Sequence, residues 1–238
     1  MRSQIQLGEI GVDVVRKGIK NIHLSVHPPT GKVRIAAPEH LSLDTIRVFA
    51  IGKLVWIRQQ QRKLREQERE TPREYLERES HWVWGRRCLL KVIEGHETPS
   101  VELASGRMIL RLRPGSEIEK RQAHIEAWYR EQVRAAVPKL IAKWERVLGV
   151  SVAGFFVQRM KTKWGSCNPK ARTIRLNTDL AKKPASCLEY IVVHEMVHLL
   201  EPTHNAHFVA LMDKFMPKWQ HRRALLNRLP VRHESWAY

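Results

Sequence analysis

At 238 residues with 43% hydrophobic content, the chain is long enough for one large domain or two small ones and too apolar to be a disordered tail. Its 42 basic and 24 acidic residues leave a net charge of +18, which favours polyanionic partners: nucleic acid, nucleotides or an acidic surface. Three cysteines (Cys88, Cys167, Cys187), no apolar leader after Met1 and no apolar run of membrane length exclude a disulfide-stapled scaffold and a spanning helix, so the expected compartment is the cytoplasm.

Residues 5–37 read as short strands, Ile5–Ile10, Val12–Lys17, Ile22–Val26 and Val33–Ala37, with Pro28-Pro29-Thr30-Gly31 as the turn between the last two. Ser42 or Asp44 then opens a helix. Ile46, Phe49, Ala50, Leu54 and Ile57 mark its apolar face, and the polar run Arg58–Glu70 prolongs it until Thr71-Pro72. Further strands are expected at Trp82–Gly85, Leu89–Ile93 and Val101–Arg113, the last folded at Ser105-Gly106, and Pro114-Gly115-Ser116 ends this β-rich half. No internal repeat is visible. From Glu117 to Leu148, apolar residues recur at helical spacing (Ile125, Tyr129, Val133, Val137, Ile141, Trp144), with Pro138 as a kink or restart and Gly149 as the C-cap. Val152–Met160 and Thr173–Asn177 follow as strands, and a final helix pair spans about 205–228.

The stretch with most chemistry is His194-Glu195-Met196-Val197-His198. On a helix, residues four apart share a face, so His194 and His198 can aim two imidazoles at one ion. Glu195 stands one step round, suited to a water on that ion rather than to the ion itself. Ser186 and Glu189 match a capping box at the helix start, and Glu201-Pro202 marks its end. A third ligand must come from beyond that break, and both His204 and His207 are candidates. Cys167 and Cys187 flank the motif, but buried structural thiols are expected there rather than thiolate ligands.

Upstream lies Arg159-Met160-Lys161-Thr162-Lys163-Trp164-Gly165-Ser166-Cys167. If this segment is extended, Arg159, Lys161 and Lys163 share one face, either a cationic wall for a phosphate chain or a charged surface strand. Trp164 offers stacking to a base or substrate side chain, or simply packs. Ser166, with nearby backbone N–H groups, is a candidate oxyanion donor.

The order R-x-K-x-x-W-G-S-C, then I-x-L-N, then Y-I-V-V-H-E-M-V-H-L-L and H-N-A-H-F resembles the YgjP-like metal-dependent hydrolases, relatives of the SprT-like and WSS-type zinc metallopeptidases. The resemblance is close over about 120–230 and looser before it. It implies a zinc-dependent hydrolase with His194, His198 and His204 as ligands and Glu195 as base, although Thr203 stands where that family often has Asn. It leaves two substrate classes. Relatives are usually described as metallopeptidases, acting on unfolded polypeptide, whereas the YgjP branch is associated with pyrophosphatase action on UTP, for which Mg2+ or another divalent ion is an alternative to Zn2+. A third reading is a nucleic-acid-associated protein held by charge. The expected architecture is α+β: residues 1–115 as a mainly β module with a long helix, and residues 116–238 as a zincin-like metallohydrolase core of helices and a small antiparallel sheet.

Overall fold

The computed structural model describes residues 2–27, 30–66 and 70–231 of a mixed α+β chain. Its contacts divide it into two units, Met1–Glu70 with Pro230–Tyr238, and Thr71–Leu229. The boundary expected at 115/116 therefore falls inside the second unit.

In the first unit, β1 (Arg2–Leu7), β2 (Ile10–Lys17), β3 (His23–His27) and β4 (Lys32–Pro38) form one sheet in the order β1-β2-β4-β3. The outer pairs are antiparallel and the central β2/β4 pair is parallel. Alternation decides which face is covered: Val12, Val14, Val33 and Ile35 are buried. Against them pack Ile46 and Ala50 of α1 (Leu43–Ile51) and Ile57 of α2 (Leu54–Glu66). Ser42 caps α1 by accepting from the Thr45 N–H at 3.1 Å. The single helix expected here is broken at Gly52. The polar run remains helical to Glu66, with residues 67–69 outside the described part, as are Pro28 and Pro29 of the expected turn.

The second unit opens with β5 (Ser80–Val83), β6 (Arg86–Glu94), β7 (Ser100–Ala104) and β8 (Arg107–Leu112), in the order β5-β6-β8-β7. Strand order, the antiparallel outer pairs and the parallel centre all repeat those of the first sheet, and a helix again follows the fourth strand. The chain thus contains a structural repeat where its sequence showed none. Trp84-Gly85 and Ser105-Gly106, each with positive φ at both positions, make the two tight hairpin turns, the second as expected.

Helix α3 (Ile118–Leu148) runs unbroken through Pro138 and ends on Gly149 in the left-handed conformation. Ile125, Tyr129 and Val133 share one core with Leu90, Met108, Leu110 and Leu112 of the second sheet. That shared core is why β5–β8 group with the C-terminal half. The β5–β6 turn also grips the segment leading to His194-Glu195-Met196-Val197-His198, with Trp84 N–H donating to Ala181 O at 2.7 Å, while α3 holds β5 through the Tyr129 hydroxyl, which donates to Trp82 O at 2.9 Å.

A third sheet comprises β9 (Gly154–Gln158), β10 (Gly165–Asn168) and β11 (Thr173–Asn177), in the order β10-β11-β9. It is mixed, not antiparallel as expected, since β9 and β11 run parallel. A 3-10 helix (Thr178–Lys182) leads into α4 (Ala185–Val197), then α5 (Ala206–Phe215) and α6 (Trp219–Arg228). Among the described residues, no helix is long and apolar enough to cross a membrane.

Candidate metal centre

Helix α4 is apolar nearly all round, with Leu188, Val192, Val193, Met196 and Val197 at most 1% exposed, so it lies inside the second unit's core. Its start departs from expectation. Pro184 is the N-cap and no capping box forms, because Ser186 already lies within the helix. Glu189 instead accepts from Lys143 Nζ (2.7 Å) and Trp144 Nε1 (3.2 Å) of α3 and from Arg222 Nη1 (2.7 Å) of α6. Burial alone would raise this carboxyl, but these bonds outweigh it and hold Glu189 below its ordinary value.

His194 and His198 emerge on one side of α4, His198 as the C-cap. Past Pro202 the chain doubles back. Thr203 donates its N–H and hydroxyl to Glu201 Oε1 at 3.0 and 2.8 Å, and Asn205 caps α5 by accepting from Phe208 N–H. His204 sits on this turn with its Nε2 3.0 Å from His194 Nε2 and 3.1 Å from His198 Nε2. His194, His198 and His204 form a cluster able to hold a metal ion; His207, on α5, is outside it.

The donor set fits a cation. His198 Nδ1 is 3.0 Å from Glu201 O, and a carbonyl oxygen only accepts, so Nδ1 carries the hydrogen and Nε2 turns a lone pair toward the other two rings. Burial, with the charges of His198, His204 and Arg223, lowers His194 to about 3, and His204 is lowered by burial, His198 and Arg223. Imidazoles converging from three sides are ligands of the type preferred by zinc and other borderline divalent ions. Phe208 (2% exposed) lies against all three rings, with centroid separations of 5.0, 4.7 and 4.8 Å. Tyr190 meets His194 edge-on at 5.8 Å and stacks on Trp219, over whose ring Arg223 also lies.

Glu195, 5% exposed, points toward β10, where Gly165 leaves it room. Burial pushes its carboxyl up to about 8, opposed by the charge of Lys163. The charge of Lys163 thus reaches the site. The basic trio does not share a strand face: β9 ends at Gln158, and 159–164 is a loop in which Arg159, Lys161 and Lys163 are exposed. Asn177 ties that loop down, its Nδ2 donating to Met160 O (2.8 Å) and Lys163 O (2.9 Å). Trp164 packs against the core, with Lys183 Nζ 5.8 Å from its ring centroid. Ser166 lies half-buried in β10, opposite Arg175 of β11. Cys187 is buried, and Cys167 is raised to about 11 by burial and the Glu195 charge; neither thiol belongs to the histidine cluster.

A family model described as YgjP-like, metallopeptidase domain, matches residues 20–229. The chain belongs to the YgjP-like family. The match begins well ahead of the segment whose motifs carry the resemblance, so the YgjP-like model spans most of the first unit as well as the second. Comparison with curated proteins returns no match. Among solved structures, the chain is similar to the metallopeptidase zymogen abylysin of Pyrococcus abyssi, at 20% identity and a TM-score of 0.36, over 41% of this chain and 99% of that one.

Phe208, Gly165, Asn177 and Arg223 are the residues around this centre that reading the sequence missed. Phe208 carried a signal, as an apolar residue four after His204, but one that marks any helix face. Arg223 lies 25 residues beyond His198, and only the return of α6 alongside α4 brings its charge to the histidines.

Proposed function

We propose that the chain is a zinc-dependent hydrolase of the metallopeptidase type with a zincin-like core. His194, His198 and His204 are its metal ligands and Glu195 its general base. The observation that carries this reading is the convergence of three imidazole Nε2 atoms, two pairs of them 3.0 and 3.1 Å apart, beside a buried carboxylate one residue from the first ligand. When bound, the cation supplies Lewis acidity, making water a competent nucleophile near neutral pH. Its charge also favours the ionised form of Glu195 against the burial that raises it. The Glu195 carboxylate takes the proton of the attacking water as its oxygen bonds to the electrophilic centre, then returns it to the leaving group. Ser166 and the backbone of β10 are proposed as donors to the oxygen that gains charge, and Trp164 as a wall for the substrate.

Unfolded polypeptide is the substrate class that agrees with the family. A second reading, pyrophosphate release from UTP or a related triphosphate with zinc or magnesium, is favoured by one observation: the charge of Lys163 reaches Glu195, and that of Arg223 reaches His194 and His204. Two cations around a hydrolytic centre suit a phosphate chain. The net charge of +18 further supports non-specific, salt-sensitive contact with nucleic acid. The deciding experiment measures metal content and turnover on a panel of denatured polypeptides and nucleoside triphosphates, for wild type and Glu195→Gln. Peptide-bond cleavage that Glu195→Gln abolishes while retaining metal is the expected outcome. Release of pyrophosphate alone transfers the proposal to the second reading, and undiminished turnover by Glu195→Gln refutes both.

A further inference from the structure

We propose that Gly165, the glycine of Trp164-Gly165-Ser166-Cys167, is the positioning residue of Glu195: the absence of its side chain sets where the carboxylate lies. The inference rests on the reading of Glu195 as base. Gly165 is a strand residue whose φ is not in the left-handed region, so the backbone has no need of glycine there. In such a position glycine weakens a strand, and its presence calls for a close neighbour. That neighbour is Glu195. A Cβ at 165 would stand 2.6 Å from Glu195 Oε1, 2.8 Å from its Cγ and 2.9 Å from its Cδ, so the three nearest atoms all belong to this one side chain.

Neither backbone can yield. β10 is held in register with β11, Trp164 O accepts from the Asn177 N–H at 2.9 Å, and the Asn177 amide holds the preceding loop at Met160 O and Lys163 O. On the other side, Val192, Val193, Met196 and Val197 fix α4 in the core with no exposed surface. A Cβ at 165 is therefore accommodated by swinging the Glu195 side chain. None of the three nearest atoms is a histidine atom, so the metal cluster is left in place while the base moves.

The test combines a thermal cycle with kinetics on the full chain. Wild type, Gly165→Ala, Glu195→Ala and the double variant are melted after chelation. Wild type, Gly165→Ala, Glu195→Gln and Gly154→Ala are assayed with zinc on a denatured, labelled polypeptide and on UTP. Gly165→Ala is expected to lower Tm when Glu195 is present and to leave it unchanged or raise it in the Glu195→Ala background. It keeps the zinc content of wild type and loses about 100-fold in kcat with KM unchanged, the scale expected of a misplacement near 1 Å. Gly154→Ala is the control, since a Cβ there meets only Thr173 Cγ2, at 3.9 Å, and it leaves zinc content and kcat unchanged. An equal loss of Tm in both backgrounds overturns the inference, as does wild-type kcat in Gly165→Ala when Glu195→Gln is inactive. Should Gly165→Ala fail to fold, a double variant that folds supports the inference and one that does not overturns it. Activity retained by Glu195→Gln defeats the base assignment instead, and the thermal cycle then decides the packing without turnover.

Discussion

Glu195 and His198 are both buried, yet they face different tasks, and their surroundings separate them. His198 gives its Nδ1 hydrogen to Glu201 O and keeps a lone pair at Nε2, whereas Glu195 lies against the bare backbone of Gly165. From this division, Glu195→Gln is expected to retain metal by elemental analysis and to lose about 10²–10⁴-fold in kcat, the usual worth of a general base. Between the two candidate third ligands the expected contrast is clear: His204→Ala loses its metal on dialysis and His207→Ala keeps it, because only His204 brings Nε2 to the other two rings. At this scale the sequence was most legible where geometry is local. His194, Glu195 and His198 lie within one helical turn, and helical spacing alone sets their relation. His204 depends on the turn through Thr203 and Asn205, whose hydrogen bonds the spacing did not reveal, and Gly165 depends on a strand from elsewhere in the chain.

Helix α4 is held from three sides, and two of its supports can be tested. Glu189 joins α4 to α3 and α6 through Lys143, Trp144 and Arg222. Its folded-state pKa is depressed, so the stability it contributes is present above the unfolded value near 4.5 and is lost as pH falls through the folded value. Glu189→Gln is therefore expected to cost about 1.5–3 kcal/mol at pH 7, the range for hydrogen bonds to a charged group, and to flatten the fall in stability below pH 4.5, as read by urea unfolding at several pH values. Phe208 of α5 forms the apolar backing of the three imidazoles. Phe208→Ala is expected to cost about 3–5 kcal/mol through the cavity it leaves and to weaken metal retention, measured by unfolding and by competition with a chelator. Most helices and strands were recognisable from periodicity, including the Ser105-Gly106 turn and the extent of α3, although α3 runs through Pro138 without the expected kink or restart. The failures were junctions. Ser186 and Glu189 have capping-box spacing, but the helix is capped at Pro184, two residues too early for that role, and the ion pairs claim Glu189. The segment 159–163 has alternating charge, but Asn177 holds it as a loop.

Across the whole molecule, two sheets share one topology and have separate cores. Ile35, fully buried in the first, offers a test of their division: Ile35→Ala is expected to destabilise that unit by about 2–5 kcal/mol while the metal content of the protein stays unchanged, checked by calorimetry and metal analysis. The boundary expected at 115/116 followed the change from strands to helices. The chain divides near 70 instead, because Leu90, Met108 and Leu110 of the second sheet need the apolar stripe of α3 to leave water. The repeat of strand order was equally hidden, since pairing is made by backbone groups and places no demand on matching side chains. The sequence by itself determined the α+β character, most of the elements though not β10 or the break between α1 and α2, and the pair of histidines with their neighbouring glutamate, all of which follow from short-range periodicity. Only the tertiary structure decided which sheet belongs with the metal helix, which third histidine completes the cluster and why a glycine faces Glu195. Those depend on which distant surfaces bury one another, and no local pattern encodes that choice.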